Sequence, residues 1–193
     1  MKSNICIWIQ RLLTIVAALS LQPSAFANPA SDLAGEWQSD CVGGSWLETR
    51  SFQSDLRFTA TFSQYPSGTG CLTPVVLTTN SGLYIIEDEL PRGERQLNFV
   101  LSHTSILVQD ADLAAHYNEI RNCGLRDWQV GVERDVTGLG CCERNGMPFL
   151  GKIMYSRYIL DSNGLMFGAY GRDGMTPESR FDRLDVDRVY VKP

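Results

Sequence analysis

The sequence predicts a mainly β fold: an antiparallel β-barrel or strongly curved sheet carrying one α-helix. Three observations predict it. Apolar residues recur at every second position over much of the chain, and Gly- and Asn-containing turns interrupt these runs at short intervals. Ahead of the first run stands Leu33-Ala-Gly35-Glu-Trp37, in which the Gly permits a tight turn and the Trp is large enough to plug one end of a barrel. A two-sheet sandwich is the main alternative. Closure into a barrel hides the sheet edges that otherwise invite aggregation.

The chain begins with a segment that reads as a secretory signal. Lys2 and Arg11 precede or open an apolar stretch, Leu12 to Leu21, and Ala25-Phe26-Ala27 gives a small-x-small cleavage pattern before Asn28. Residues 1–27 are therefore expected to be removed, leaving residues 28–193 as a single domain that is secreted or periplasmic. The apolar stretch is short of the about 20 residues that span a bilayer, so an uncleaved anchor is the lesser reading. No later stretch is long and apolar enough, and the mature form is expected to have no membrane span. A domain of this size buries roughly 70% of its unfolded surface, enough for a core that does not depend on disulfides. The whole chain carries a net charge of −5 and becomes more acidic when Lys2 and Arg11 leave. An acidic surface argues against nucleic acid or an anionic membrane as the main partner.

The β-strands follow in order. In Leu56-Arg57-Phe58-Thr59-Ala60-Thr61-Phe62 one face carries Leu56, Phe58, Ala60 and Phe62, and the other Arg57, Thr59 and Thr61. That is a half-buried strand, and Trp46 to Gln53 is its expected partner across a turn near Ser54-Asp55. A turn over Tyr65–Gly70 leads into a strand at Pro74–Thr79, and Asn80-Ser81-Gly82 reads as a hairpin turn back into Leu83–Glu89. Pro91-Arg92-Gly93 makes another turn before a long β-rich run, Gln96 to Val108.

Asp110 to Asn122 breaks the alternation. Asp110 can cap, Asp112 suits a first helical turn, and Leu113, Tyr117 and Ile120 recur at helical spacing, so they are expected to face the sheet. Strands are then expected at Trp128–Arg134, Gly151–Leu160, Leu165–Ala169 and Leu184–Val191, with a turn at Asp161-Ser-Asn-Gly164. Gly138–Met147 and Gly171–Phe181 read as exposed loops.

Of six cysteines, Cys6 lies in the signal, leaving Cys41, Cys71, Cys123, Cys141 and Cys142. Export makes disulfides the default. Cys41 is expected to pair with Cys71, and Cys123 with Cys141 or Cys142. Closing a loop of about 30 residues contributes 3–4 kcal/mol on a chain-entropy account, roughly the same for the shorter second loop. The remaining thiol is free and buried, bonded to another molecule, or part of a vicinal bridge. Arg144 would favour a thiolate at Cys141-Cys142, but adjacent cysteines close only a strained ring, so structural pairing is preferred to redox chemistry.

Little in the chain points to catalysis. His103 and His116 are the only histidines and lack metal-ligand spacing, so no metal site and no cofactor are expected. Glu87 and Glu89 share a strand face, yet acid–base glycoside chemistry needs two carboxyls across a cleft, and neighbouring acids beside a turn suit a solvated strand end. Nucleophile-elbow and phosphate-loop patterns are absent, and no enzyme activity is expected. The aromatic residues are the remaining resource. Phe58, Phe62, Tyr84, Phe99, Trp128, Tyr155 and Tyr158 stand on expected strands and are the candidate ligand-binding residues, either lining an apolar cavity or filling a dry core.

The motifs also carry a resemblance. Leu33-x-Gly35-x-Trp37-x-Ser39-x-Cys41, Leu47-x-Thr49-Arg50-Ser51-Phe52, Tyr65, Cys71-x-x-Pro74, Gly82-x-Tyr84 and Cys123-Gly124 together resemble the lipocalin-like domain of the adenomatosis polyposis coli down-regulated family. The resemblance covers most of the mature chain. It implies a lipocalin-like (calycin-like) barrel with disulfides at fixed positions and a cavity for acyl or other apolar ligands. Val42-Gly43-Gly44-Ser45 stands where the animal domains carry a Glu-x-Arg-Pro-type stretch, and with one domain and no C-terminal anchor the chain looks like a short bacterial relative rather than a Wnt antagonist. The expected function is a secreted or periplasmic binding protein for a lipid-like small molecule held in the barrel. The alternative is a protein-interaction module with a filled core that binds a protein partner through its loops.

Overall fold

A computed structural model describes residues 32–139, 151–169 and 174–193 of the protein. The expected signal segment, the Cys141-Cys142 pair and most of the Gly138–Met147 loop lie outside the described residues. The strands are β1 (Gly35–Ser39), β2 (Trp46–Phe52), β3 (Arg57–Gln64), β4 (Val76–Glu89), β5 (Arg95–Val108), β6 (Glu133–Asp135), β7 (Ile153–Asp161), β8 (Gly164–Phe167) and β9 (Tyr190–Val191). One α-helix, α1 (Ala111–Ile120), follows β5.

All pairings are antiparallel. β1 to β5 pair in sequence, β5 pairs with β7, β7 with β8, β8 with β9, and β9 returns to β1. Eight strands thus close into a barrel, and β6 attaches outside the ring to the far end of β5. The β2–β3 register sets Phe52 opposite Phe58 and Arg50 opposite Ala60. The period-two pattern therefore sends one set of side chains inward from both strands.

The interior is packed with side chains. Trp37, Phe52, Phe58, Tyr84, Leu97, Phe99, Leu101, Tyr158, Leu165, Phe167 and Tyr190 form one buried cluster with Leu33 and Ala60. Trp37 sits beside Leu33, donating its indole N–H to the Leu33 carbonyl at 2.7 Å. Lys192 lies over the same indole at 4.9 Å. A second cluster joins Val76, Ile106 and Val108 at the opposite ends of β4 and β5 to Ala114 of α1, Trp128 and Val136. Asp110 caps the helix by accepting from the Leu113 amide at 2.8 Å, as its position predicts.

Cys41 and Cys71 are disulfide-bonded with Cα atoms 5.9 Å apart, tying the chain beyond β1 to the approach to β4. Cys123 is disulfide-bonded as well. Its expected pairing with Cys141 or Cys142 falls outside the described residues.

Several expected boundaries differ. β4 runs unbroken through Asn80-Ser81-Gly82 instead of turning there. Asn80 points into the barrel and accepts from the Thr104 hydroxyl at 2.9 Å, so a residue that reads as a turn signal is satisfied across the strand pair. Gly82 marks a bulge, and a Cβ there would lie 2.0 Å from the Val100 carbonyl oxygen. Leu56 takes φ 69° in the β2–β3 turn and leaves the inward face. On α1, Leu113 and Tyr117 pack on the second cluster, but Ile120 is 54% exposed because the helix ends there. The expected strand at Trp128–Arg134 shrinks to Glu133–Asp135, since Trp128 turns into the helix contact. The one at Leu184–Val191 shrinks to Tyr190–Val191 with a single bridge between Leu184 and Gly168. In the expected loop Gly171–Phe181, Gly174, Arg180 and Phe181 are buried against the barrel.

Candidate functional site

The seven aromatic candidates divide into three environments. Phe58, Tyr84, Phe99 and Tyr158 are buried in the barrel, with Phe62 partly buried beside them. Phe52, which stands in the motifs but not among the ligand-binding candidates, is their hub: its ring lies 5.2 Å from Tyr84, 6.4 Å from Phe99 and 6.0 Å from Phe167. Trp128 belongs instead to the helix cluster. It meets Tyr117 edge-on at 5.3 Å, while the Asn118 amide bonds both its backbone N–H and its carbonyl. Tyr155 stands on the outer parity of β7, between Met154 and Ser156, and takes the Arg180 guanidinium over its ring at 5.4 Å.

A polar cluster lies inside the barrel next to the aromatic core. Glu48 on β2 is fully buried, and its Oε1 accepts from Arg50 Nε at 2.5 Å. Its Oε2 accepts from the Tyr190 hydroxyl at 2.5 Å and faces Arg188 Nη1 at 3.5 Å. Its backbone N–H donates to Ser39 Oγ at 2.9 Å. Arg50 stacks over Phe167 at 3.9 Å and Arg188 over Trp46 at 4.0 Å, so aromatic faces take the place of water around both guanidiniums. Burying a carboxylate is tolerable only with this degree of pairing.

Beside the cluster is a cavity of about 10 Å³, lined by Arg50, Ser156, Phe181, Asp185, Arg188 and Tyr190 among others. That is room for one water-sized group. No protein-family model and no curated protein matches the chain. The chemistry of the site is accordingly read from its own geometry. It offers guanidinium, hydroxyl and aromatic contacts in a nearly dry setting, suited to orienting a ligand by hydrogen bonds.

Two tyrosines are strongly perturbed. Burial, with Glu48 alongside, holds the Tyr190 hydroxyl well above its ordinary value against the opposing pull of Arg50. Burial pushes Tyr158 up to about 12, and its hydroxyl finds no hydrogen-bond partner among the described residues. Below pH 10 folded and unfolded chains both keep the Tyr158 proton, so stability is intact. Between pH 10 and 12 only the unfolded chain releases it, and stability falls by about 2–3 kcal/mol. Tyr158→Phe should remove that loss and add about 1 kcal/mol at neutral pH by deleting an unpaired hydroxyl. Denaturant unfolding at pH 7 and pH 11 measures both effects, about half of the alkaline loss being present at pH 11. A variant that tracks the parent across this range would show that the hydroxyl is paired or hydrated.

The other titratable candidates stay apart. His103 Nδ1 lies 3.1 Å from Thr137 Oγ1 and 3.6 Å from Asp135, at the surface, whereas His116 is exposed on α1. Glu87 pairs with Arg180 of the segment before β9 at 2.9 Å and Glu89 with Arg95 of β5 at 3.3 Å, so each carboxylate is held by a cation. Among the described residues, no group of three His, Cys, Asp or Glu side chains is placed to hold a metal, and no helix is long and apolar enough to cross a membrane. Glu48, Arg50, Arg188 and Tyr190 were missed by sequence reasoning. A signal existed: Glu48 and Arg50 share the parity of Phe52, and two charges on an inward strand face ask for burial in a pair.

Proposed function

We propose that the protein is an exported, non-enzymatic binding protein for a small amphipathic molecule, held at the polar-lined cavity rather than along the barrel axis. The buried Glu48–Arg50–Arg188–Tyr190 cluster bordering that cavity carries the reading. It sets oriented donors around that small cavity, next to the aromatic core. The closed antiparallel barrel is compatible with a binding role, and the Cys41–Cys71 bond suits an oxidising compartment. Membership of the lipocalin-like family is part of the same proposal, supported by barrel closure and by the buried Trp37. In this reading Phe99 contacts the ligand, while Phe58, Phe62, Tyr84 and Tyr158 are the wall behind it. The cavity beside the cluster, among the described residues, is too small for a long acyl chain while those rings stay in place.

Calorimetric titration of a carboxylate and alcohol series from two to sixteen carbons tests this. Each buried CH₂ contributes about 0.8 kcal/mol, so affinity should climb over the first few carbons and then level off. A climb sustained to sixteen carbons would restore the axial lipid carrier. No binding at any length would favour the second reading, a protein-interaction module. One observation supports that alternative: Leu83 is 50% exposed on the outer face of β4, beside exposed Ile85 and Leu56. Leu83 pairs with Val100 of β5, which pairs in turn with Ile153 of β7, making an apolar row across three strands.

A further inference from the structure

We infer that the cavity is a one-oxygen site: it holds a single water molecule on the Nε–H of Arg188, and the ligand engages it through a hydroxyl that takes that water's place. The inference rests on the binding role proposed above and names the head group that the same cavity accepts. Arg188 carries it. Its Nη1 lies 3.5 Å from Glu48 Oε2 and its Nη2 3.6 Å from Asp185 Oδ2, both long contacts, and its face covers Trp46 at 4.0 Å. Its Nε is buried with no hydrogen-bond partner among the described residues. A buried donor in that condition is costly unless an acceptor reaches it.

The cavity supplies the place for that acceptor. Arg188 lines it, and its volume of about 10 Å³ admits one oxygen-sized group and no more. A buried water needs about two to four polar partners. Beyond Arg188, the lining offers the Asp185 carboxylate and the Ser156 hydroxyl. Ser156 Oγ donates to the Arg157 carbonyl at 3.4 Å and keeps its lone pairs for a second partner. Gly168 keeps the space open, since a Cβ there would stand 3.0 Å from Ser156 Oγ. A water at this point accepts from Arg188 and donates toward Asp185 and Ser156.

The same pattern selects the head group. A hydroxyl accepts and donates as the water does, whereas an ether or carbonyl oxygen only accepts and strands the groups that the water served. A carboxylate is refused on two counts. It brings two oxygens to a space for one, and its charge enters a group already balanced, Arg50 and Arg188 against Glu48 and Asp185. Burial sets the direction of approach. Met154, Asp185 and Arg188 are the partly buried members of the lining, and the others are buried. The body of the ligand therefore lies on their side, outside the cavity, with no ring of the core displaced.

Two measurements on the full mature chain test this. Magnetic relaxation dispersion of the water oxygen counts waters held far longer than surface hydration, and calorimetric titration ranks three probes. These are n-butanol, its isomer methyl propyl ether (which accepts but cannot donate) and butanoate. Saturating n-butanol should remove one long-lived water from the parent. It should also bind about fivefold more tightly than either other probe, the worth of one hydrogen bond. Arg188→Lys, which keeps the charge but deletes Nε–H, should lose the same water and weaken n-butanol. Ser156→Ala should narrow the gap between n-butanol and the ether, and the parent measurements stand if a variant does not fold. A water count unchanged by n-butanol or by Arg188→Lys would overturn the site. Equal binding of all three probes, or tighter binding of butanoate, would overturn the head group while leaving the binding role. Failure of every probe on the parent would remove the binding role and the head group with it, and the count in parent against Arg188→Lys would then decide the water alone.

Discussion

Glu48→Ala is expected to destabilise the protein by about 3–5 kcal/mol, because it removes a fully buried carboxylate that bonds two guanidiniums and a hydroxyl. Arg50 loses its 2.5 Å partner, Arg188 loses its 3.5 Å contact, and the Tyr190 hydroxyl loses its acceptor. Stacking on Phe167 and Trp46 remains, and Arg188 keeps Asp185 at 3.6 Å, but neither replaces the buried carboxylate. Glu48→Gln keeps the volume and an acceptor for Tyr190, so its cost should be smaller, about 1–3 kcal/mol. The informative contrast is the combined change Glu48→Leu, Arg50→Met and Arg188→Met, which removes all three charges together. It should cost less than Glu48→Ala, since removing the cations with the carboxylate spares their desolvation, while Asp185 losing Arg188 and Tyr190 losing its acceptor keep it short of neutral. Urea unfolding reads all three. A loss below about 1 kcal/mol for Glu48→Ala would mean that water reaches the cluster, and the description of a dry polar pocket would fall with it.

The fold was legible where period two was uninterrupted. Phe58, Ala60 and Phe62 alternate against Arg57, Thr59 and Thr61, and β3 has that inward face. The cap at Asp110, the turn before Gly164 and the Cys41–Cys71 bond were legible for the same reason, each being a local rule or a compartment rule. Reading failed where a tertiary contact reversed a local signal. Asn80-Ser81-Gly82 has turn chemistry, yet Asn80 is bonded inside the barrel and Gly82 is there because the Val100 carbonyl comes too close for a side chain. The site failed for a related reason. Glu48 and Arg188 are 140 residues apart, and no spacing rule links them. Of the aromatic candidates Phe58, Tyr84, Phe99 and Tyr158 are buried in the barrel core, while the charged residues among them define the candidate site.

Phe52→Ala should cost about 3–5 kcal/mol, and the size of the loss bears on whether the barrel interior is filled. Phe52 is 2% exposed and touches three other rings, so truncation removes both transfer energy and packing partners. In a filled interior the neighbours cannot all close in, because Tyr84 is tethered by its hydroxyl to the Gln53 carbonyl at 2.8 Å and Phe167 is stacked under Arg50. A residual cavity then adds to the transfer term and drives the loss to the upper part of the range. In a barrel hollow enough to carry a lipid, the same truncation only widens an existing space. The loss would then fall toward about 2 kcal/mol, the transfer term alone. Unfolding free energy of the delipidated parent and variant decides between them. The small cavity in the folded structure argues for the larger value.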